Sequence, residues 1–557
     1  MKNRKKALLL LGYAILTFFL AGYIVVPFFN TLIQAFQTES GYGLQVFREY
    51  LSNANQLRVV GNTVLLGLTS VLVCGVIGTA LALYMTFMAG REKKAVHILL
   101  LSPMMIPGVI IVISFIQLYG ESGIVTKALE YLLELPEPPF SFWGFGAIVF
   151  VIAYTQYVYF YLNVYVALKY VDYSAIEAAR GMGAGLPRVF ADVIWPVITP
   201  AVLTSAVITF ASGISAFSAP NLIGGGFKVL STQIVRSKAN NHMEVASVQV
   251  VILFAISVAV ILLIQFYSRR YGIGVSGERA APVIPSVKGK SVFLWLCRAV
   301  IALQLILIVL PVLAILYLSF METQSIMMMI FPHGFTVENY QEIFQNPRAL
   351  KPLVNSVEMS LMAVGAGLLI TVPASYLIVK RRGRYDSIVR LLILLPWTMP
   401  ASVVAINLIN TFNRESIFAF QQPLVGGFLI LPIAYTIAAL PLLLSSNEVA
   451  VRSLSPYLEE ASRSLGARMA DTFRYVVIPN VAPGIIAGGM LVFIRTIGEH
   501  TMSALLYGVY NRPISISMVM NMQDYNIGLS LAYGSIVIVI CCLALALLCK
   551  LDSKRFL

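Results

Sequence analysis

Charged residues are scarce in this sequence of 557 residues. Asp, Glu, Lys and Arg together make up 11% of it, whereas hydrophobic residues make up 59%. Soluble domains usually carry roughly 25% charged residues. This composition, with a mean hydropathy of +0.84, excludes a string of soluble domains. It predicts an all-α integral membrane protein, because in lipid an apolar run of about 20 residues forms a helix that satisfies its own backbone hydrogen bonds.

An ATP-binding loop is also missing. Such a loop needs Gly, four residues and then Gly-Lys-Ser/Thr, so that backbone N–H groups can surround phosphates. The segment Gly289-Lys290-Ser291 has the end of this pattern, but Ile284 stands where the first glycine is required. We therefore expect no ATP hydrolysis by this chain itself.

Histidine and cysteine are rare and scattered. The cysteines lie in apolar runs, and none has the spacing to histidine of a metal site. The residues are His97, His242, His333 and His500, and Cys74, Cys297, Cys541, Cys542 and Cys549. We predict a chain that is not an enzyme and holds no cofactor or metal, since a membrane enzyme would need such groups to converge at one face. An ion-coupled secondary transporter stays open as an alternative, although Glu358 is the one carboxylate found near the required midplane position.

About twelve apolar runs are long enough to cross a membrane, six in each half. They lie near 7–35, 60–88, 96–119, 144–168, 194–217, 246–268, 293–320, 354–380, 388–411, 424–446, 480–498 and 530–549. The fifth run of each half contains Ser, Thr, Gly and Pro, which predicts that it lines something other than lipid. The first run follows a basic start but is too long for a signal peptide, so we expect a membrane helix there.

The net charge of +14 is concentrated on one side of the predicted membrane. With both termini inside, Lys and Arg accumulate in cytoplasmic segments, whereas acidic residues divide almost evenly, which is the positive-inside pattern. Among these residues are Lys2, Arg4, Lys5, Lys6, Arg91, Lys93, Lys94, Arg269, Arg270, Arg279, Lys380, Arg381, Arg382, Arg384, Lys550, Lys554 and Arg555. The charge thus predicts topology and contact with anionic lipid, and no nucleic-acid partner.

The two halves of the chain repeat each other. Asn62–Thr63 opens a run that ends at Pro103 and Pro107, and Asn355–Ser356, 293 residues later, opens one that ends at Pro396 and Pro400. Six spans in each half give both halves the same orientation, as in a parallel repeat about an axis along the membrane normal. We predict a first half at 1–268, a cytoplasmic linker at 269–292 and a second half at 293–557.

A second repeated block follows the fourth span of each half, with an offset of 283 residues. The first copy is Glu177-Ala178-Ala179-Arg180-Gly181-Met182-Gly183-Ala184, followed by Pro196, and the second is Glu460-Ala461-Ser462-Arg463-Ser464-Leu465-Gly466-Ala467, followed by Pro479. The alanines favour a short helix, the second glycine permits a turn, and the proline suits the first turn of the next span. The block predicts a charged helical knob that can dock into a groove on a soluble partner. An amphipathic loop lying on the headgroups is the alternative.

These blocks resemble the EAA loops of binding-protein-dependent ABC importer permeases. The glutamate of the family pattern falls on Glu177 and Glu460, its alanine pair on Ala178–Ala179 and Ala461–Ser462, its glycine on Gly183 and Gly466, and its proline on Pro196 and Pro479. The loops span 172–196 and 456–479. The second copy departs from the pattern at Ser462, and the first has Trp195 where Leu is usual.

The resemblance implies a type I importer permease with both halves fused in one chain. It implies a bacterial plasma membrane location with both termini cytoplasmic, two copies of an ABC ATPase subunit that bind ATP-Mg, and an extracytoplasmic solute-binding protein. The stretch from Ser218 to Gly226 most resembles permeases of the ferric-iron group. Ferric iron is the expected cargo, with a phosphonate, a polyamine, thiamine or a sugar phosphate as alternatives.

A third group of residues lies at the outer end of the eleventh span. Arg495 and Glu499 are four residues apart, which predicts that they lie on the same face of a helix. His500 directly follows Glu499. Their equivalents in the first half are Ser212, Ala216 and Phe217. Because ionisable residues in a span indicate function, this face is a candidate lining of the pathway or of an outer gate. A local Arg–Glu pair that stabilises the helix end is the alternative.

Overall fold

The computed structural model describes residues 13–14, 16–38, 41–89, 92–271, 292–381 and 383–553. Within these ranges the chain is almost wholly helical, and its one sheet is a two-stranded hairpin in which β1 (Gln37–Thr38) pairs with β2 (Gly41–Tyr42). Most of the predicted linker, residues 272–291, lies outside the described residues, and so do the basic residues at the N-terminus.

The same series of helices occurs twice. The first half contains α1 (Val26–Ala35), α2 (Gln45–Ser52), α3 (Ala54–Phe87), α4 (Lys93–Leu101), α5 (Gly108–Tyr119), α6 (Ile124–Leu132), α7 (Gly144–Leu168), α8 (Tyr173–Gly181), α9 (Leu186–Val189), α10 (Trp195–Ile214), α11 (Ser218–Ile223), α12 (Leu230–Ala239) and α13 (Met243–Tyr271). The second half contains α14 (Val292–Leu318), α15 (Thr323–Met328), α16 (Glu338–Gln345), α17 (Pro347–Arg381), α18 (Arg384–Leu394), α19 (Ala401–Phe412), α20 (Ile430–Arg452), α21 (Pro456–Ser464), α22 (Met469–Thr472), α23 (Ile478–Ile497), α24 (Thr501–Leu506), α25 (Ile514–Gln523) and α26 (Ile527–Ser553).

Short turns of other helix types join several of these helices. Turns of 3₁₀ helix occupy Ser102–Met105, Leu395–Thr398 and Ile417–Ala419, and π-helical turns occupy Ala21–Val25, Phe190–Ile194 and Phe473–Val477. Eleven helices of the described chain are long and apolar enough to cross a membrane, and a bent pair would make twelve if it counts as one span. The prediction of about twelve membrane helices in an all-α fold is confirmed.

The third run of each half is not the single continuous helix that we predicted. In the second half, the segments Tyr385–Thr398 and Ala401–Phe412 meet at an angle of 109°. The break falls before Pro400, and in the first half α4 and α5 are likewise separated before Pro107. A proline pushes the preceding residue out of the helical region: Ile106 has φ −100° and ψ 128°, and Met399 has φ −96° and ψ 116°.

The segments at 218–244 and 499–529 follow the fifth predicted span of each half. Each folds into two short helices, α11 and α12 in the first half and α24 and α25 in the second. In a membrane protein, such helices satisfy backbone groups that would be costly to leave unpaired near lipid.

Each half is built around three packed helices. Helix α3 packs on α7 and α10, and α17 packs on α20 and α23 in the same arrangement. Glycines allow the close approach: a Cβ atom at Gly78 of α3 would lie 2.6 Å from the carbonyl oxygen of Tyr157 in α7. Small residues at such crossings are typical of helix packing in membranes.

The first helix of each half packs against the other half. Helix α1 contacts α19, and α14 contacts α5. The Tyr23 hydroxyl donates to the carbonyl oxygen of Phe418 at 2.6 Å. In the opposite direction, the Ser114 hydroxyl donates to the carbonyl oxygen of Pro311 at 2.6 Å, and the Tyr154 hydroxyl donates to that of Ile308 at 2.9 Å. The first helix of each half thus packs against the other half and holds the two halves together.

The α3–α7 crossing gives a stability prediction. Gly78→Ala should lower the melting temperature of the purified full chain, because its methyl group would meet backbone rather than a flexible side chain, at a cost of about 1–3 kcal/mol. Gly61→Ala on the same helix is the matched control, since no heavy atom lies within 4 Å of its Cβ position. Equal melting temperatures for the two variants would contradict the packing described.

Candidate functional site

The first repeated block forms a helix, a tight turn and a second short helix. The Asp172 side chain caps α8 by accepting a hydrogen bond from the Ser174 N–H at 2.9 Å. At the other end, the Ala184 N–H donates to the Ala179 carbonyl at 3.0 Å, and the Gly183 N–H donates to that of Arg180 at 2.9 Å. This is a Schellman motif, and it places Gly183 in the left-handed region with φ +83°.

The second block has the same geometry. The Ala467 N–H donates to the Ser462 carbonyl at 3.1 Å, the Gly466 N–H donates to that of Arg463 at 2.9 Å, and Gly466 also has φ +83°. Neither glycine has a heavy atom within 4 Å of its Cβ position. Both glycines are therefore required by backbone conformation and not by lack of space. Ser462 stands where the family pattern has Ala, but the turn is unchanged, because the backbone carbonyl of this residue accepts the hydrogen bond.

Each block projects exposed side chains at its tip. Glu177 and Glu460 are exposed, and the residue before each turn glycine is a large apolar side chain that is almost fully exposed, Met182 at 83% and Leu465 at 89%. An exposed apolar tip beside a carboxylate is suited to insertion into a groove on another protein.

A continuous helical segment connects each block to a membrane span. After α9, the chain passes through the π-helical turn Phe190–Ile194 directly into α10, so that Leu186–Ile214 forms one span. The second half follows the same course through Phe473–Val477 into α23. Pro196 and Pro479 lie in the first turn of α10 and α23, as predicted. A displacement of either block is thus passed to a span without a flexible connection.

The two blocks are anchored by different chemistry. In the second half, Glu459 of α21 is 6% exposed, and its carboxylate lies 2.7 Å from the Lys380 Nζ and accepts a hydrogen bond from the Tyr376 hydroxyl at 3.2 Å. The equivalent residue in the first half is Ile176, which packs in an apolar cluster with Leu83 and Phe87. Those two residues are the equivalents of Tyr376 and Lys380.

A similar difference occurs one helix earlier. In α20, Glu448 accepts hydrogen bonds from the Arg390 Nε at 2.8 Å and from the Arg452 Nη2 at 3.3 Å. The equivalent Tyr165 instead lies beside His97, with ring centroids 5.1 Å apart.

Two lysines border this aromatic pair in the first half. The Lys169 and Lys93 ammonium groups lie 5.0 and 5.6 Å from the centroid of the Tyr165 ring. The first half thus has cation–π contacts where the second half has ion pairs.

At the far ends of α10 and α23, equivalent residues of the two halves meet. Phe217 and His500 are 283 residues apart, their ring centroids lie 5.1 Å apart, and both are buried. The His500 Nδ1 is also 3.0 Å from the Ser218 Oγ. Two equivalent positions of a twofold repeat can touch only on its axis, so this contact lies on the axis between the halves. We call the group Phe217, Ser218 and His500 the axial seal.

The predicted shared face of Arg495 and Glu499 is wrong. Helix α23 ends at Ile497, with Gly498 as its C-cap, and among the described residues no ion pair joins the two side chains. The Glu499 carboxylate instead accepts hydrogen bonds from the N–H groups of Met502 at 2.9 Å and Ser503 at 3.0 Å, at the start of α24. Glu499 therefore positions the neighbouring His500, and Arg495 is exposed.

Sequence reasoning missed Phe217, Ser218, Lys380 and Glu459 as members of these groups. The offset of 283 residues already makes Phe217 and His500 equivalent. The sequence could therefore have indicated this contact, since the two residues follow the fifth span of each half. Across the described residues, no group of three or more His, Cys, Asp or Glu side chains could hold a metal ion.

The family of this chain is established by comparison with known proteins. The sequence profile of the family described as "Binding-protein-dependent transport system inner membrane component" matches residues 75–272 and 363–556, which together are more than half of the chain. This chain belongs to that family. The two matches show a tandem repeat, so it is a fused two-half ABC importer permease.

Similar proteins agree with this assignment. A probable ABC transporter permease, y4fN of Sinorhizobium fredii, is 29% identical over 92% of this chain and 89% of its own length. The ferric transport system permease FbpB of Actinobacillus pleuropneumoniae is 24% identical over 95% of this chain and 76% of its own length. The spermidine/putrescine permease PotB of Haemophilus influenzae is 29% identical over 36% of this chain and 73% of its own length.

The anchor of the second block can be tested by removing one partner. Glu459→Gln should lower the melting temperature, because it removes the charge of a buried carboxylate that lies 2.7 Å from the Lys380 ammonium group, at a cost of about 1–3 kcal/mol. The triple variant Tyr376→Leu, Lys380→Phe and Glu459→Ile copies the first half and should recover most of the loss. A triple variant less stable than the single one would contradict the proposed equivalence of the two anchors.

Glu499 gives a second prediction for this site. Glu499→Ala removes the acceptor of two backbone N–H groups at the start of α24, which should cost about 1–2 kcal/mol and impair uptake by displacing His500. Glu499→Gln keeps one acceptor oxygen and should have a smaller effect on the melting temperature. The idea fails if alanine and glutamine variants melt and transport like the unmodified chain.

Proposed function

We propose that this permease forms the complete translocation channel of its importer, with one ATPase subunit on each repeated block. The proposal is supported by the two turns at Gly183 and Gly466, which have the same left-handed geometry. The helical segment that follows each turn leads into α10 or α23, and these two spans meet at the axial seal. Because the two attachment points on the chain have the same geometry, we expect two copies of the same ATPase subunit to bind them. ATP-Mg would bind in those subunits.

The mechanism follows from this connection. An extracytoplasmic solute-binding protein delivers cargo at the axial-seal side, and the blocks and both chain termini lie on the cytoplasmic side. When the ATPase subunits close on ATP, they move α8 and α21 together with α10 and α23. Because Phe217 and His500 follow these spans, their separation opens the axis, and the two halves alternate access around it.

Ferric iron is the cargo that we propose. The relatives described as ferric permeases match 95% and 89% of this chain, whereas the molybdenum, spermidine/putrescine and sulfate permeases match 28%, 36% and 29% of it. The ferric permeases thus match most of both halves, whereas each of these other matches covers little more than a third of the chain or less. Because the identity to the ferric permease is only 24%, a phosphonate, a polyamine, thiamine or a sugar phosphate is the second candidate cargo.

An ion-coupled mechanism finds no support at Glu358. This carboxylate lies on the exposed face of α17 with Val354, Leu361 and Met362, all exposed apolar residues. Such a stripe is typical of a face that contacts lipid, so the carboxylate does not point to the axis.

The turn glycines give the test of this function. Gly183→Val or Gly466→Val should weaken ATPase attachment and reduce uptake by about tenfold or more, because a β-branched residue in the left-handed region costs at least about 1–2 kcal/mol and displaces the tip. The measurement is co-purification of the ATPase subunit with the tagged full chain, together with uptake of ⁵⁵Fe by cells.

Gly181→Ser is the matched control. Gly181 has open space and lies at the end of α8 without a positive φ, and the second copy has Ser464 at this position. The control should retain the ATPase and transport normally. Normal attachment and uptake by both valine variants would refute the role of the blocks.

A further inference from the structure

We propose that the first half binds the headgroup of an anionic phospholipid between Lys93 and Lys169, at the end of the spans that carries the repeated blocks. The ligand is the phosphate group of this headgroup. The site goes beyond the proposed function, because it concerns neither the cargo nor the ATPase subunits. The observation behind it is a difference in charge between equivalent positions of the two halves.

In the second half, the protein supplies its own anion at this place. The Glu448 carboxylate is 6% exposed and lies 2.8 Å from the Arg390 Nε and 3.3 Å from the Arg452 Nη2. A guanidinium group from α18 and another from α20 therefore share one carboxylate. Its negative charge offsets much of the repulsion between the two cations.

The first half keeps a cation at this place but lacks the carboxylate. By the offset of 283 residues, Lys169 is equivalent to Arg452, and Tyr165 stands where the second half has Glu448. The Lys169 ammonium group lies 5.0 Å from the centroid of the Tyr165 ring. A tyrosine ring attracts a cation through its face, but it does not neutralise the charge.

A second ammonium group approaches the same ring from α4. Lys93 lies one helical turn before His97, which is the equivalent of Arg390 by the offset of 293 residues. Its ammonium group lies 5.6 Å from the centroid of the Tyr165 ring. Two positive charges from neighbouring helices thus converge on one uncharged side chain, and their combined field attracts an anion.

The carboxylates of the described chain leave these two charges unpaired. None of its ion pairs includes Lys93 or Lys169. Of the carboxylates close by in the sequence, Glu92 is exposed, and Asp172 accepts hydrogen bonds from Ser174 at the start of α8. An external anion can therefore take the position that a carboxylate fills in the other half.

The neighbouring side chains suit the acyl chain of a lipid. Leu162 and Val166 lie seven and three residues before Lys169, so they are on the same side of α7 but closer to the middle of this span. Both are exposed, and so is Ile98 of α4. Exposed apolar side chains at this depth meet the hydrocarbon core of a bilayer. A lipid gains from this surface as well as from the lysines, whereas a free phosphate ion gains only from the lysines.

Lipid binding to the purified full chain tests the site. Native mass spectrometry of the chain in detergent gives its affinity for dioleoylphosphatidylglycerol and, separately, for dioleoylphosphatidylcholine. The unmodified chain should prefer the anionic lipid by about tenfold or more, because each lysine near the surface attracts its headgroup. Lys93→Gln together with Lys169→Gln should remove most of this preference without changing the affinity for the zwitterionic lipid.

Arg188→Gln together with Arg474→Gln is the matched control. It removes two exposed cations from the same side of the membrane, and it should bind both lipids like the unmodified chain. A second test is Tyr165→Glu, which supplies the carboxylate of the other half and should also remove the preference. Tyr165→Phe keeps the ring and should retain it. The melting temperature of each variant shows whether it is folded.

Equal affinity of the unmodified chain for the two lipids would overturn the proposal, as would an unchanged preference in the lysine variant. An equal loss in the arginine control would also overturn it, because binding would then follow overall charge and not this site. Inorganic phosphate at matched ionic strength serves as the competitor. It should fail to displace the anionic lipid, and efficient displacement would show a site for a soluble anion instead of a lipid.

Discussion

Phe217 of the first half and His500 of the second pack against each other where the two halves meet. These residues occupy equivalent positions in two similar halves, so they can meet only on the axis that relates the halves. The contact therefore lies on this axis, along which we propose that cargo passes. Helices α10 and α23 reach the seal from opposite sides, and Glu499 fixes the approach of His500 by holding the start of α24.

The same two spans begin at the repeated blocks. Each block is attached without an irregular connection, through a π-helical turn and a proline in the first turn of the span. A push on the exposed tips at Met182 and Leu465 would thus be transmitted along roughly 30 Å of helix, at 1.5 Å per residue, to the seal. The exchanged first helices keep the halves together while this movement occurs.

The halves are equal in backbone but not in side chains. The buried carboxylate of Glu459, paired with Lys380, holds the second block, whereas Ile176 and its apolar neighbours hold the first. A polar anchor depends on geometry and on ionic strength, and an apolar one depends mainly on buried area. Fusion of the halves in one chain permits this divergence, since each block always meets the same half.

Much of this architecture could be predicted from the sequence, because it follows from the length of the apolar runs and from the repeat of the two halves. The length of the runs predicts the spans, and the block from Glu177 to Pro196 predicts a helix, a turn at Gly183 and a second helix. The bends at Pro107 and Pro400 were not predicted, although proline restricts the residue before it. The separation of Arg495 from Glu499 was beyond sequence reasoning, because it depends on where α23 ends and on which N–H groups the carboxylate meets in three dimensions.

Crosslinking can test whether force on the blocks opens the axis at Phe217 and His500. Cysteines placed at both positions, in a chain whose native cysteines are replaced by serine, are treated with a short bifunctional thiol reagent in the complex with its ATPase subunits. We predict efficient crosslinking without nucleotide, loss of crosslinking when the ATPases are trapped in their closed state, and blocked uptake once the link has formed. Equal crosslinking in both states, with uptake unaffected by the link, would contradict the account.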